Sequence, residues 1–194
     1  MDSTHNYTGR FLQATAKLNG TWFDDTIIFI LTHDPIQGVY GVILNRLSHI
    51  PAREVFTQLK SHHNQVLPFF LGGPVEEQWL QMIQLSQEES IDESISDNEE
   101  ESDDDENLDN SEGKSFYNVD LSTFDETMDY TPYFEKPGVK FFLGYSGWSQ
   151  NQLENEIQTG LWDVFDALPY LVLNSTPDEL RLTAREFREK FETP

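Results

Sequence analysis

The stretch closest to a catalytic motif is Gly144-Tyr145-Ser146-Gly147-Trp148. In a G-x-S-x-G nucleophile elbow the serine sits on a sharp strand-to-helix turn, and small residues on both sides permit the close packing. Here a predicted strand at residues 139–143 precedes the serine, and a predicted helix at 149–159, closed by Gly160, follows it. The last position is Trp148 instead of glycine, so the motif fails. The spacing then predicts a structural turn at 144–147, with Ser146 or Ser149 capping the helix and Trp148 as a core or rim aromatic.

The other chemistry-bearing residues are sparse. Five histidines, His5, His33, His49, His62 and His63, fall in no H-E-x-x-H or H-x₃₋₅-H spacing, and no metal site or cofactor is expected. Gly72-Gly73-Pro74 lacks the Gly-Lys-Ser/Thr of a phosphate loop and the three spaced glycines of a dinucleotide fold, so it reads as a tight turn. Asn45-Arg46 ends a predicted strand, where the guanidinium could anchor a carboxylate or phosphate bidentately. Cysteine is absent, which removes disulfides, thiolate nucleophiles and Cys-based zinc sites.

These residues need elements to hold them. Apolar, β-branched runs at residues 26–32 and 39–44, joined through Asp34-Pro35 and Gly38, predict a hairpin whose first strand is buried on both faces. Shorter strands are expected at 10–15, 69–71, 79–85, 139–143 and 170–173, while 162–168 is ambiguous. Helical periodicity marks residues 48–60, with Pro51 near the first turn. A helix capped by Ser122 is plausible after order resumes near Phe116. The last helix opens at Thr176-Pro177-Asp178, with Leu180, Ala184, Phe187 and Phe191 on one face. Its basic residues alternate with glutamates, which reads as a solvated face and not a nucleic-acid stripe. Hairpin-linked strands with a few intervening helices predict an α+β fold.

The formal charge of the 194 residues is −23, and it is unevenly placed. Residues 88–112 hold fourteen Asp or Glu and no Lys or Arg; removing those fourteen leaves −9 on the remaining 169 residues. The apolar residues of that stretch are Ile91, Ile95 and Leu108. They cannot offset a backbone ordering cost of roughly 1–2 kcal/mol per residue, so a disordered acidic insert within one domain is expected. Ser90, Ser94, Ser96 and Ser102 each have an acid three residues later, as acidophilic kinases prefer. The net negative charge that remains on the domain works against direct nucleic-acid binding. The N-terminus lacks a secretory pattern and the longest apolar run, residues 27–31, is far shorter than a membrane span, so a soluble cytoplasmic protein is expected.

Three blocks resemble the YqgE/AlgH family of small bacterial proteins. They are residues 9–15 with Trp22-Phe23, 27–33, Gly38, Gly41 and 42–46; residues 70–75, Phe-Leu-Gly-Gly-Pro-Val; and residues 143–148 with Gln152-Leu153-Glu154, Glu156-Ile157 and Trp162. The resemblance covers nearly the whole chain outside the acidic stretch. It implies an α+β fold with a small barrel-like, bifurcated, mostly antiparallel sheet flanked by helices. It brings a transcriptional-regulator label but no recognised DNA-binding motif and no agreed catalytic residues. Ala16, Asp25-Thr26, Thr32, Leu47 and Gln84 depart from the family's usual residues.

Two functional expectations follow. The first is a non-enzymatic regulatory or interaction domain. Its working surface would join His33, Asn45, Arg46, Gly72, Gly73, Tyr145, Ser146 and Trp148, and its partner would be a protein or a small anionic ligand. The second is an enzyme acting on an anionic small molecule, with Arg46 as anchor and Ser146 or His33 as polar catalyst. Convergence of those three side chains discriminates between them.

Overall fold

The computed structural model of this chain describes residues 6–48, 69–85, 116–120 and 138–192. The expected acidic insert at 88–112, the helix at 48–60 beyond Ser48 and the Ser122 cap lie outside them. Among them eight strands form one mixed sheet: β1 (Arg10–Ala14), β2 (Ile27–Asp34), β3 (Gly38–Ile43), β4 (Phe69–Leu71), β5 (Val75–Leu85), β6 (Phe116–Asp120), β7 (Val139–Trp148) and β8 (Trp162–Asp166). Among the described residues three α-helices accompany it, α1 (Gln152–Gln158), α2 (Pro169–Asn174) and α3 (Pro177–Glu192), with a 3₁₀ turn at Ala16–Leu18.

The path through the sheet is β6-β5-β7-β3-β2-β1-β8, with β4 paired to β7 beside it. All pairings are antiparallel except β4 with β7. The sheet is therefore bifurcated and mostly antiparallel, but open. The expected barrel does not close, because among the described residues β6 and β8 end the path without pairing to each other. Strand β5 precedes the acidic stretch and pairs with β6 and β7 after it, so the two flanks build one sheet.

Alternation sorts the apolar residues to two faces, as the pleat requires. Phe11, Ile27, Phe29, Val42, Phe142 and Phe165 pack on one face against Leu180 and Ala184 of α3 and Val172 and Leu173 of α2. Leu12, Ile28, Ile30, Ile43 and Trp162 pack on the other against Leu153 of α1, with Trp22 and Phe23 of the 19–26 loop alongside. The double burial expected for β2 is thus present. Helix α3 starts on a capping box: the Thr176 N–H donates to Glu179 Oε2 at 2.8 Å, and the Glu179 N–H donates to Thr176 Oγ1 at 3.3 Å.

Two local expectations are corrected. The predicted turn at 144–147 is straight strand, because Tyr40, Gly41 and Val39 of β3 pair with Gly147, Ser146 and Trp148. Gly144, at φ +67°, is absorbed as a bulge and does not reverse the chain. Ser146 therefore caps nothing; Ser149 instead ties the start of α1, its N–H and hydroxyl donating to Gln152 Oε1 at 3.0 and 3.1 Å. The apolar run at 170–173 belongs to α2 and not to a strand: Pro169 fits the first helical turn, and a short buried run carries no period that separates the two states. The ambiguous segment after Trp162 is the edge strand β8.

Strand β7 forks the sheet. Its first half, Phe141 to Leu143, pairs with β4 on one side and β5 on the other, and its second half pairs with β3. The Gly72-Gly73 backbone fills the fork. A Cβ on Gly73 would stand 2.0 Å from the Tyr145 carbonyl carbon and oxygen. Gly72 N–H donates to Leu143 O at 2.7 Å, and Gly72 O accepts from Ile43 N–H at 2.9 Å and from the Ser146 hydroxyl at 3.1 Å. Further along, Glu156 of α1 clasps two indoles: its Oε2 accepts from Trp148 Nε1 at 2.8 Å and from Trp162 Nε1 at 2.7 Å.

Both features predict stability losses measurable by urea unfolding. Gly73→Ala, which drives a methyl into backbone, should cost at least about 3 kcal/mol. Gly9→Ala should cost about 1 kcal/mol, since its φ is +77° but the space around its Cβ is open. Glu156→Ala, which strands two indole donors, should cost about 2–4 kcal/mol, and Glu156→Gln less because an acceptor oxygen remains.

Candidate functional site

Each sequence-nominated polar residue is bonded into the scaffold, Asn45 and Arg46 on one loop and His33 and Ser146 each elsewhere. His33, at the end of β2, stacks on Tyr7 with ring centroids 5.5 Å apart and receives the Tyr7 N–H on Nδ1 at 3.2 Å. An accepting Nδ1 puts the imidazole proton on Nε2, which faces Glu154 Oε1 at 3.0 Å. Asn45 is 3% exposed. Its Oδ1 accepts from Ile27 N–H at 3.0 Å and its Nδ2 donates to Asp25 O at 2.7 Å. Arg46 spends both terminal nitrogens on the same loop, on Trp22 O at 2.6 Å and Asp24 O at 3.1 Å, with its guanidinium carbon 4.7 Å from the Trp22 ring centre. Burial pulls that guanidinium below its usual pKa, and the Arg181 charge adds to the effect against Asp24 and Asp25.

Asn45 and Arg46 thus pin the 19–26 loop, including Asp25 at φ +52°, to the end of β3. Ser146 is fully buried on Gly72 O. His33, Arg46 and Ser146 share no partner among the described residues, so the convergence of anchor and polar catalyst on which the enzyme expectation turned is not found there. No group of three or more His, Asp or Glu among the described residues is arranged to hold a metal.

Tyr145 and Trp148 have a different setting. They line an open groove of about 570 Å³ beside β3 and β7. On β5, residues 76–79 stand opposite Gly144 alone, between the pairs Val75–Tyr145 and Leu80–Leu143. This wide bulge, with Glu76 at φ +46°, throws Trp79 toward the β7 edge. Three rings then meet: Tyr40 and Tyr145 at 4.9 Å, Trp79 and Tyr145 at 5.5 Å, Tyr40 and Trp79 at 6.2 Å. Their planes are inclined by 44°, 84° and 59°, so they present walls in different directions and not one stack. The Tyr40 hydroxyl donates to Gln81 Oε1, and the fully buried Gln81 donates through Nε2 to Gly144 O at 2.9 Å, which orients the ring and satisfies the bulge.

Two carboxylates, Asp34 and Glu76, stand at this groove, and no Lys or Arg is among its described lining residues. Asp34 Oδ1 accepts from the N–H groups of Ile36 and Gln37, both at 2.7 Å. Those bonds, Gln37 first, hold its carboxyl below the usual carboxylate pKa. A water-exposed cavity walled by ring faces and edged by carboxylates attracts cations.

Sequence reasoning named Tyr145 and Trp148 but missed Tyr40, Trp79, Glu76 and Asp34. Trp79 and Tyr145 are far apart in sequence, and no period or spacing brings them together. The one available signal was polar-tipped Tyr40 inside an otherwise aliphatic strand.

The comparisons agree with this architecture. The AlgH-like family model matches residues 11–186. A UPF0301 protein of Thermobifida fusca is 31% identical over 163 residues, covering 82% of this chain and 76% of the relative. One from Mycobacteroides abscessus is 32% identical over 173 residues, covering 89% and 75%. The solution structure of the AlgH protein from Pseudomonas aeruginosa superposes with a TM-score of 0.64 at 23% identity, covering 97% of this chain and 91% of that one. A crystal structure of a Corynebacterium diphtheriae protein gives 0.60 at 21% identity, with 91% and 83% covered. With the family model spanning nearly the whole sheet and its flanking helices, the chain belongs to the AlgH-like family.

Proposed function

We propose that this chain is a non-enzymatic interaction domain whose working surface is the Tyr40–Trp79–Tyr145 groove, and that it engages a cationic group on a partner. One observation carries the reading. The residues able to do chemistry, His33, Arg46 and Ser146, are consumed by the fold, whereas the groove gathers three mutually inclined rings beside Asp34 and Glu76. A cation over an aromatic face gains about 0.5–2 kcal/mol, more as water is excluded, and nearby carboxylates add to it. An anion anchored on Arg46 would compete with the Trp22 and Asp24 carbonyls, which already take an N–H from each terminal nitrogen. A regulatory role would follow from what the partner is. No helix among the described residues is long and apolar enough to cross a membrane.

Tetramethylammonium, titrated into the isotope-labelled protein, is the direct probe. It should shift the Trp79 indole resonance and the Tyr40 and Tyr145 ring resonances, saturating with weak affinity. Tyr145→Ala should weaken it about fivefold, as the loss of roughly 1 kcal/mol implies. Glu76→Gln should weaken it less, and the more so as salt is lowered. Shifts that are absent, or that survive Tyr145→Ala unchanged, would remove the groove as a cation site.

A further inference from the structure

Lys140 of β7 is a buried amine that the groove does not use. It is 7% exposed. Its Nζ donates to Ser175 O at 2.8 Å and lies 4.8 Å above the Phe70 ring centre. No carboxylate among the described residues is paired with it. Among the described residues Glu179 of α3 is the charge that acts on it, and that carboxylate is committed to the Thr176 N–H and hydroxyl. A buried ammonium without a counter-charge is costly.

This amine lines a pocket of about 340 Å³ where β7 meets the α2–α3 junction. The pocket walls are mainly apolar, with Leu47, Phe70, Phe141, Leu173 and Pro177 among them. Leu47 is 44% exposed, a large side chain left facing water at its edge. The size is at the small end of ligand pockets. One cation in apolar walls complements a single negative charge on an apolar body. Lys140 is the one cationic side chain among the described lining residues, and the Thr176 hydroxyl beside it is already bonded to Glu179.

We propose that this pocket is a binding site for a small apolar carboxylate of the medium-chain alkanoate class, its carboxylate paired with Lys140 Nζ and its chain lying along Phe70, Phe141 and Leu173. The site is separate in its residues from the aromatic groove, and either reading can fail without the other. The amine's setting supports it: desolvation lowers Lys140 from 10.5 to about 8, against the opposing charge of Glu179. An incoming carboxylate supplies the missing partner and favours the ammonium, so binding takes up protons. Affinity should be level from about pH 6 to 7, where the ligand carboxyl is ionised, and fall as pH rises through about 8.

The test is calorimetric titration of the full chain with octanoate, octanol and octylammonium. Octanoate should bind at least about tenfold more tightly than either neutral or cationic analogue, and Lys140→Met should abolish that preference. A second measurement keeps the wild-type chain: reductive methylation read by mass spectrometry should slow at Lys140 when octanoate is present, while exposed Lys17 is unaffected. Equal binding of octanoate and octanol, no binding of octanoate, or labelling of Lys140 indifferent to octanoate would each overturn the proposal.

Discussion

Two backbones approach unusually closely where Gly72-Gly73 lies in the fork of β7, and the sheet depends on that contact. With no Cβ on Gly73, the chain leaving β4 can run against Tyr145 and Ser146. One strand can then serve β4 and β5 with its first half and β3 with its second. A fork breaks ladders and exposes backbone polar groups that must be satisfied without water. Here Gly72 O receives Ile43 N–H and the Ser146 hydroxyl, and Gly144 O receives Gln81 Nε2. The Gly-Gly pair and the Ser of the would-be elbow therefore serve one structural purpose.

The fork also positions the aromatic groove. The bulge at 76–79 exists because β5 must stay paired with β7 across Gly144. Gln81 bonds Gly144 on one side and Tyr40 on the other, so the same buried amide settles the bulge and one wall of the groove. Trp148, the next large residue along β7, is locked by Glu156 together with Trp162, which ties α1 to the two strands it covers. The groove's mouth is thus held by the packing of the sheet itself, the arrangement that favours a pre-formed binding site.

Polar residues elsewhere follow the same economy. Asn45 and Arg46, just past β3, bond the 19–26 loop, their side chains donating to the Asp25, Trp22 and Asp24 carbonyls. His33 bridges Tyr7 and Glu154. Lys140 contrasts with them: its charge is buried against a carbonyl and a ring and has no described counter-ion. The two proposed sites would therefore take ligands of opposite charge, in a chain whose overall charge is strongly negative.

By itself the sequence determined which segments are buried and most of what they become. Dense apolar runs dictated β2 and β3 as a hairpin, Thr176-Pro177-Asp178 began α3, and the three motif blocks indicated the family. These signals are local, so they survive without knowledge of the rest of the chain. Tertiary structure decided the remainder. Four residues at 170–173 are too few to show a period, and packing on the sheet with Pro169 ahead of them made them helical. Gly144-Tyr145-Ser146-Gly147 has the composition of a turn, yet β3 paired with it and kept it extended. Sheet closure depends on how the terminal strands of the path are placed, which no local pattern encodes, and the path stayed open. The candidate site was legible only in Tyr145 and Trp148, because Tyr40, Trp79 and Glu76 reach them through long-range pairing and a bulge that leave no periodic trace.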